Sequence, residues 1–197
     1  ATPGWQTHGP PMRTISGRMS EGSVVNDEWQ TTHKTWAALA PHITQWRERQ
    51  IWMPFYYDGE CAGHLRGLGF SRVVHEDKDF FERVADPSFL ASVDVIVDNP
   101  PYTAQDMKER VLRALAQSGK PFCMLLPMSV LHVAFVREIL DMDQVQVLIP
   151  RRAYVRKQGG PELPFKYLMW LCYRAGLPRD LIFLRDIEDA VQGDESS

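Results

Sequence analysis

A short apolar segment that ends in two consecutive prolines constrains the fold of this chain more than any other feature. The segment spans Val93–Tyr102 and reads VDVIVDNPPY. Its β-branched residues predict a buried strand of a parallel sheet. Pro100 and Pro101 then end the strand, because a proline nitrogen has no hydrogen to donate to the ladder. The chain therefore presents Asp98 and Asn99 at the carboxyl edge of a sheet, where open α/β sheets bind their ligands.

Other apolar segments alternate with helical patterns and predict a mixed α/β fold. The predicted strands cover residues 51–53, 72–75, 93–97, 122–126, 145–149 and 165–173, and the predicted helices cover residues 27–49, 61–68, 104–117 and 130–140. This alternation is typical of a mainly parallel, Rossmann-like sheet with helices on both faces. The stretch between Gly69 and Asp94 is too short for two strand–helix units, so we expect one peripheral strand to be abbreviated or missing.

Length and composition predict one globular domain with loose ends. The chain has 197 residues, of which 44% are hydrophobic and 24% charged, as in ordinary globular proteins. Residues 1–26 and 192–197 are expected to be a flexible leader and tail around a single domain at 27–191. No apolar run is long enough to span a membrane, and no secretion pattern or metal-binding cysteine spacing is present. We therefore expect an intracellular protein of the cytoplasm or nucleus, without a metal or a membrane.

Charge is distributed unevenly along the chain. The net charge of −3 argues against a strong non-specific binder of nucleic acid. Residues 151–166 nevertheless contain five cations and one acidic residue, a local charge of +4. Arg151 and Arg152 directly follow a predicted strand and are the candidates for binding a phosphate-bearing substrate. The alternative is a solvated loop with ordinary surface cations.

The residues Asn99-Pro100-Pro101-Tyr102 resemble the NPPY signature of S-adenosylmethionine-dependent amino-methyltransferases, above all the adenine-N6 methyltransferases of DNA and RNA. The resemblance implies a class I methyltransferase fold, S-adenosylmethionine as cofactor and catalysis by these four residues. An exocyclic amine is a poor nucleophile, because its lone pair is delocalised into the purine. The Asn99 side-chain oxygen and the Pro100 carbonyl would accept its two N–H groups, and Tyr102 would stack on the base. Alone, the motif also fits an ordinary strand-ending turn.

Other segments resemble the cofactor-binding parts of the same family. Residues 54–59 resemble its cofactor loop, although Met53 replaces the expected acidic residue and Tyr57 the first glycine. Residues 27–33 resemble the motif that precedes this loop, with His33 in place of the usual proline. The acids at 76–79 would bind the ribose and adenine, or else form a polar turn. The resemblance implies these cofactor-binding residues: Thr31, Pro54, Phe55, Tyr56, Asp58, Gly59, Glu76, Asp77, Asp79, Phe80, Asp98 and Asn99.

Three functions remain open at this point. The first is adenine-N6 methylation of DNA or RNA, on a single-stranded or flipped-out base; flipping costs a few kcal/mol. The second is methylation of another planar amide or amine, such as a protein glutamine, which suits the acidic net charge better. The third is a non-catalytic, methyltransferase-like scaffold subunit, for which Met53 and Tyr57 are the motivation. We expect target recognition to come from a protein partner or from flanking sequence.

Overall fold

A mixed α/β architecture is observed in the computed structural model, which describes residues 29–101 and 105–185. The helices are α1 (His33–Leu39), α2 (Glu60–Gly67), α3 (Phe80–Val84), α4 (Pro87–Ser92), α5 (Gln105–Gln117) and α6 (Ala134–Ile139). The strands are β1 (Gln30–Thr31), β2 (Ile51–Trp52), β3 (Val73–Val74), β4 (Val95–Asp98), β5 (Phe122–Pro127), β6 (Val145–Ile149), β7 (Ala153–Arg156), β8 (Leu163–Phe165), β9 (Leu168–Tyr173) and β10 (Leu181–Phe183). Short 3₁₀ helices cover Ala40–His42, Thr44–Trp46, Met128–His132 and Met142–Gln144.

The main sheet has seven strands in the order β10-β6-β9-β5-β4-β2-β3. Its strands are parallel except β9, which runs antiparallel between β5 and β6. The predicted fold class, a mainly parallel Rossmann-like sheet, is therefore confirmed. Between residues 69 and 94 the chain contributes one strand, β3, followed by the two short helices α3 and α4. The prediction that one peripheral strand in this stretch is abbreviated or missing is therefore confirmed.

Helices cover both faces of the main sheet. Successive residues of a strand point to opposite faces, so one strand contributes side chains to a core on each side. In β5, Cys123 and Leu125 pack into one core, which contains residues of α1 and α2. Their neighbours Phe122, Met124 and Leu126 pack into a second core with residues of α3, α4, α5 and α6. The continuous apolar sequence of β5 is explained by this double burial, which is typical of strands inside a three-layer α/β fold.

A second, smaller sheet was not predicted. It has three antiparallel strands in the order β1-β7-β8, with Gln30 paired to Arg156. The prediction that no strand lies between residues 149 and 165 is therefore wrong, because this part of the chain forms a β-hairpin whose Ala153 and Val155 are buried in the core. The predicted helix at 27–49 is also wrong in extent. Its Gln30–Thr31 portion is a strand, and α1 ends at Leu39, before the 3₁₀ helix that contains Pro41.

Other predicted elements are shifted or divided. The predicted helix 130–140 begins as the 3₁₀ helix Met128–His132 and continues as α6. The predicted strand 165–173 is divided between the end of β8 and β9. No helix in residues 29–101 and 105–185 is long and apolar enough to cross a membrane. Within the same ranges, no cluster of three or more His, Cys, Asp or Glu side chains could hold a metal ion.

Candidate functional site

Asp98, the last residue of β4, connects the NPPY segment to the loop that follows β2. Its carboxyl group is buried, and its Oδ2 accepts a hydrogen bond from the backbone N–H of Phe55 at 2.6 Å. Its Oδ1 accepts from the backbone N–H of Asn99 at 2.8 Å. Burial raises the pKa of Asp98 to about 8, although both backbone hydrogen bonds act to lower it. The predicted catalytic segment and the predicted cofactor loop are thus joined through one buried side chain.

The Asn99 side chain is half-buried at the carboxyl end of β4. Its Nδ2 donates a hydrogen bond to the backbone carbonyl of Trp29 at 3.2 Å. This bond fixes the rotation of the amide, so the two ends of the amide face different surroundings. Pro100 is buried and Pro101 is half-buried, whereas Tyr102 lies outside the described residues. The predicted catalytic amide is therefore oriented by a segment 70 residues away.

The predicted cofactor loop, residues 54–59, makes a tight turn into α2. Gly59 has φ +84°, and a Cβ atom there would lie 2.8 Å from the hydroxyl oxygen of Tyr56. The positive φ favours glycine at this position, and a Cβ atom would in addition require the Tyr56 side chain to move. Asp58 Oδ1 accepts a hydrogen bond from the backbone N–H of Glu60 at 3.0 Å. The loop therefore makes a close turn into α2, with Pro54 buried at its start.

The two departures from the family pattern have structural partners. Met53 is fully buried in the core that contains α1 and α2, so its apolar side chain is explained by packing. The Tyr57 hydroxyl oxygen accepts a hydrogen bond from the backbone N–H of Gln158 at 3.2 Å. Gln158 lies two residues beyond the end of β7. Tyr57 therefore connects the loop to the β7–β8 hairpin, a contact that glycine could not make.

Thr31 lies in β1 and is fully buried. Its carbonyl oxygen accepts a hydrogen bond from the indole N–H of Trp36 at 3.2 Å. The hydroxyl oxygens of Thr31 and Thr32 have no hydrogen-bond partner in the part of the chain that the structure describes. A buried polar group without a partner costs about 1–3 kcal/mol. These two hydroxyls are therefore suited to a bound polar group, and the residues present fit the amino-acid end of S-adenosylmethionine.

The acidic residues of the segment after β3 have different roles in the fold. Glu76 is exposed and forms an ion pair with Arg83. Asp79 caps α3, with Oδ1 accepting from the backbone N–H of Glu82 at 3.0 Å. Asp77 is exposed, and its side chain has no hydrogen bond or ion pair within the described ranges. Of the three predicted nucleoside-binding acids, Asp77 is the one whose carboxylate is not used by the fold.

Phe80 follows the capping residue Asp79 as the first residue of α3 and is fully buried. Its ring packs against Trp52 at 5.7 Å and against Phe55 at 5.2 Å between centroids. Phe55 is the half-buried member of this aromatic group. Phe80 therefore supports the position of Phe55 by ring packing, and its assignment as a cofactor-binding residue stays a prediction.

His75, at the end of β3, was missed by the sequence analysis. Its Nδ1 lies 2.9 Å from the carbonyl oxygen of Met53, and the Tyr56 ring packs on it at 4.9 Å between centroids. Burial lowers the pKa of His75, so the neutral ring donates from Nδ1. Its Nε2 is buried and has no partner among residues 29–101 and 105–185. A lone histidine after a strand carries no recognisable pattern in the sequence.

The basic residues of the β7–β8 hairpin and its connection take different positions. Arg151 and Arg152 are exposed between β6 and β7, at the same sheet edge as Asn99. Their strand is three places from β4 in the sheet, which at about 4.8 Å a strand places them about 14 Å away. Lys157 is nearer to the candidate site, with its Nζ 4.9 Å from the centroid of the Trp29 ring. Sequence reasoning found the arginines but did not single out Lys157.

Comparison with known proteins gives a limited result. The sequence matches no protein-family model and no curated protein. A solved structure from Listeria monocytogenes, provisionally described as a class I S-adenosylmethionine-dependent methyltransferase, is similar with a TM-score of 0.37 and 12% identity. The similarity covers 82% of this chain and 67% of that chain. At this TM-score the likeness does not establish a family, so the function has to be inferred from the geometry of this chain.

Proposed function

We propose that this chain is an S-adenosylmethionine-dependent N-methyltransferase that modifies the exocyclic amine of adenine in DNA or RNA. The observation that carries the proposal is the linkage at the end of β4. Asp98 holds the backbone of Phe55 in the cofactor loop, and the adjacent Asn99 amide is held by the carbonyl of Trp29. Cofactor loop and amine acceptor are thereby fixed relative to each other, as a transfer reaction that depends on positioning requires.

In this proposal Asn99 and Pro100 prepare the nucleophile. The Asn99 side-chain oxygen and the Pro100 carbonyl accept the two N–H groups of the amine and favour a tetrahedral nitrogen. These two acceptors would leave the nitrogen lone pair available for a methyl group, and the methylated amine would release one proton to water. The bound cofactor supplies the methyl group as an electrophile. No strong general base is needed, and most of the catalysis is positional and electrostatic.

Cofactor binding is assigned to the loop 54–59 and the segments beside it. The Gly59 turn admits a close approach of a ligand to the backbone. The unpartnered hydroxyls of Thr31 and Thr32 suit the charged groups of a methionine moiety. Asp77 is the acid best placed to bind ribose hydroxyls, because Glu76 and Asp79 already have partners in the fold.

Nucleic acid is the substrate class that the charge distribution supports. The hairpin region has a local charge of +4 in a chain of net charge −3. Arg151 and Arg152 are exposed at the sheet edge and suit contacts to phosphates. Since the cationic surface is small, we propose a single-stranded or flipped-out adenine, with a protein partner or flanking sequence that supplies further recognition.

The test is calorimetric titration of S-adenosylmethionine and S-adenosylhomocysteine into the purified chain, followed by a labelled-methyl assay on single-stranded DNA, RNA and protein substrates. The proposal predicts micromolar binding and label on adenine N6. Label on a protein amide would instead support the amine-methyltransferase alternative, which the acidic net charge favours. Absence of binding would exclude the enzyme and favour a scaffold role for the chain.

A further inference from the structure

Gln30, in β1, is a buried amide whose hydrogen bonds join β1 to two segments that are distant in sequence. Only 1% of its surface is exposed. Its Nε2 donates to Asp58 Oδ1 at 3.0 Å and to Glu60 Oε2 at 2.9 Å, and its Oε1 accepts from Nε of Arg156. Both amide hydrogens and the oxygen are therefore used, which leaves the side chain a single orientation.

The first segment reached by Gln30 is the turn of the candidate cofactor loop. Asp58 Oδ1 accepts from Gln30 and also from the backbone N–H of Glu60, so one carboxylate closes the turn and binds β1. The hydrogen bond from Gln30 is the largest effect that lowers the pKa of Glu60. A ligand that orders residues 54–59 would therefore also order the contacts of Gln30.

The second segment is the β7–β8 hairpin. Arg156 lies directly opposite Gln30 in the β1–β7 register, and its guanidinium also forms an ion pair with Glu60. The hydrogen bond between Tyr57 and Gln158 is a second link between the loop and this hairpin. Of the two links, the one through Gln30 is the more buried, so less of its strength is lost to water.

The candidate catalytic amide of Asn99 is linked to β1 through the residue next to Gln30. Trp29, the neighbour of Gln30, accepts the hydrogen bond from Asn99 Nδ2 and lies beneath the Lys157 ammonium. A displacement of β1 would therefore change the positions of the Asn99 amide, the loop turn and the hairpin together.

We propose that Gln30 is a positioning residue that couples binding at the cofactor loop to binding at the basic hairpin. The proposal rests on the proposed function, which assigns cofactor to residues 54–59 and nucleic acid to the hairpin. The first ligand to bind bears the cost of ordering the shared hydrogen bonds, and the second ligand then binds more tightly. Such coupling is reciprocal, and in proteins it typically changes an affinity by about 5–150-fold.

The experiment measures the Kd of S-adenosylhomocysteine with and without saturating single-stranded oligoadenylate. In the wild type we expect the oligonucleotide to tighten binding at least about fivefold. Gln30→Met keeps the length of the side chain but removes its three hydrogen bonds, and should bring this ratio close to one. Arg156→Met, at a side chain that is 37% exposed, provides a second variant should the buried substitution fail to fold.

Glu162→Gln is the matched control. Glu162 lies on the same hairpin and forms an ion pair with Lys34 of α1 at 3.3 Å. Both side chains are exposed, and neither contacts residues 54–60 in the part of the chain that the structure describes. The control should keep the wild-type ratio. A ratio of one in the wild type, or an unchanged ratio in Gln30→Met and Arg156→Met, would overturn the inference. Absence of S-adenosylhomocysteine binding in the wild type would instead overturn the proposed function itself.

Discussion

The segments that follow β4 and β3 are both predicted to bind ligands, yet their polar side chains are used differently. After β4, Asp98 and Asn99 bond to partners 43 and 70 residues away along the chain. After β3, Asp79 bonds to a residue three positions away and Glu76 to one seven positions away. The first segment assembles distant parts of the chain, whereas the second mainly completes its own local structure.

This difference separates site-forming polar residues from helix-capping ones. A long-range hydrogen bond closes a large loop and costs more conformational entropy than a local one. An acid that caps the next helix is already explained by local structure. The carboxyl edge at β4 is therefore the stronger candidate for catalysis, and the edge at β3 is reduced to Asp77 and the unpartnered Nε2 of His75.

The largest expected effect is on Asn99. Asn99→Ala should lower kcat by about 10²–10³-fold, the cost of losing one positioned polar contact to the reacting group. S-adenosylhomocysteine affinity should stay within about twofold of the wild type, a change worth about 0.4 kcal/mol. Single-turnover methyl transfer and calorimetry measure the two quantities separately. Normal turnover in this variant would show that Asn99 has no catalytic role. The β4 edge would then be no stronger a candidate for the active site than the β3 edge.

The elements that sequence predicted correctly are those whose causes are local. The strand β4 follows from its β-branched residues, and its end follows from Pro100 and Pro101. The turn at Gly59 is likewise recognisable, because glycine is needed where φ is positive. The exact bounds of these elements still depend on partner strands, which explains shifts of one or two residues.

The elements that sequence missed depend on partners far along the chain. β1 is only Gln30–Thr31, and it exists because β7 pairs with it 124 to 126 residues later, at Val155 and Arg156. The burial of Phe80 could not be predicted from its neighbours in sequence, because the rings that pack on it belong to Trp52 in β2 and Phe55 in the loop after β2. Contacts between residues so far apart in the chain leave no pattern in a short stretch of sequence, so local β-propensity alone does not predict them.

A smaller effect is expected at Asp98, which holds the cofactor loop by its backbone. Asp98→Asn places an amide N–H against the N–H of either Phe55 or Asn99, because both carboxyl oxygens accept hydrogen bonds. We expect a loss of about 1–3 kcal/mol in the free energy of unfolding at pH 7, measured by urea denaturation. Phe55→Leu, which keeps the backbone N–H, is the control for the loop contact. An unchanged stability would mean that the β4 edge does not hold the loop.

The same variant tests the protonation of Asp98. Its folded pKa is raised to about 8, above the value of an unfolded aspartate, which is about 3.9. Between these values the folded state keeps a proton that the unfolded state has lost, so the wild type is most stable at the acid end and loses stability as pH rises toward 8. Asp98→Asn lacks this dependence, and its deficit should shrink over the same interval. Parallel pH curves for the two proteins would show that the pKa is not raised.

The smallest effects are expected after β3, where two neighbouring acids are predicted to differ. Asp79→Ala removes the cap of α3 and should cost about 1 kcal/mol of stability with little change in cofactor affinity. Asp77→Ala should leave stability within about 0.5 kcal/mol and weaken S-adenosylhomocysteine binding, since this carboxylate has no role in the described fold. Denaturation and calorimetry on both variants give four values. The opposite result would be an Asp79→Ala variant that keeps wild-type stability but binds S-adenosylhomocysteine more weakly than Asp77→Ala does. In that case Asp79 would serve a ligand rather than α3, and the β3 edge would be as strong a candidate binding site as the β4 edge.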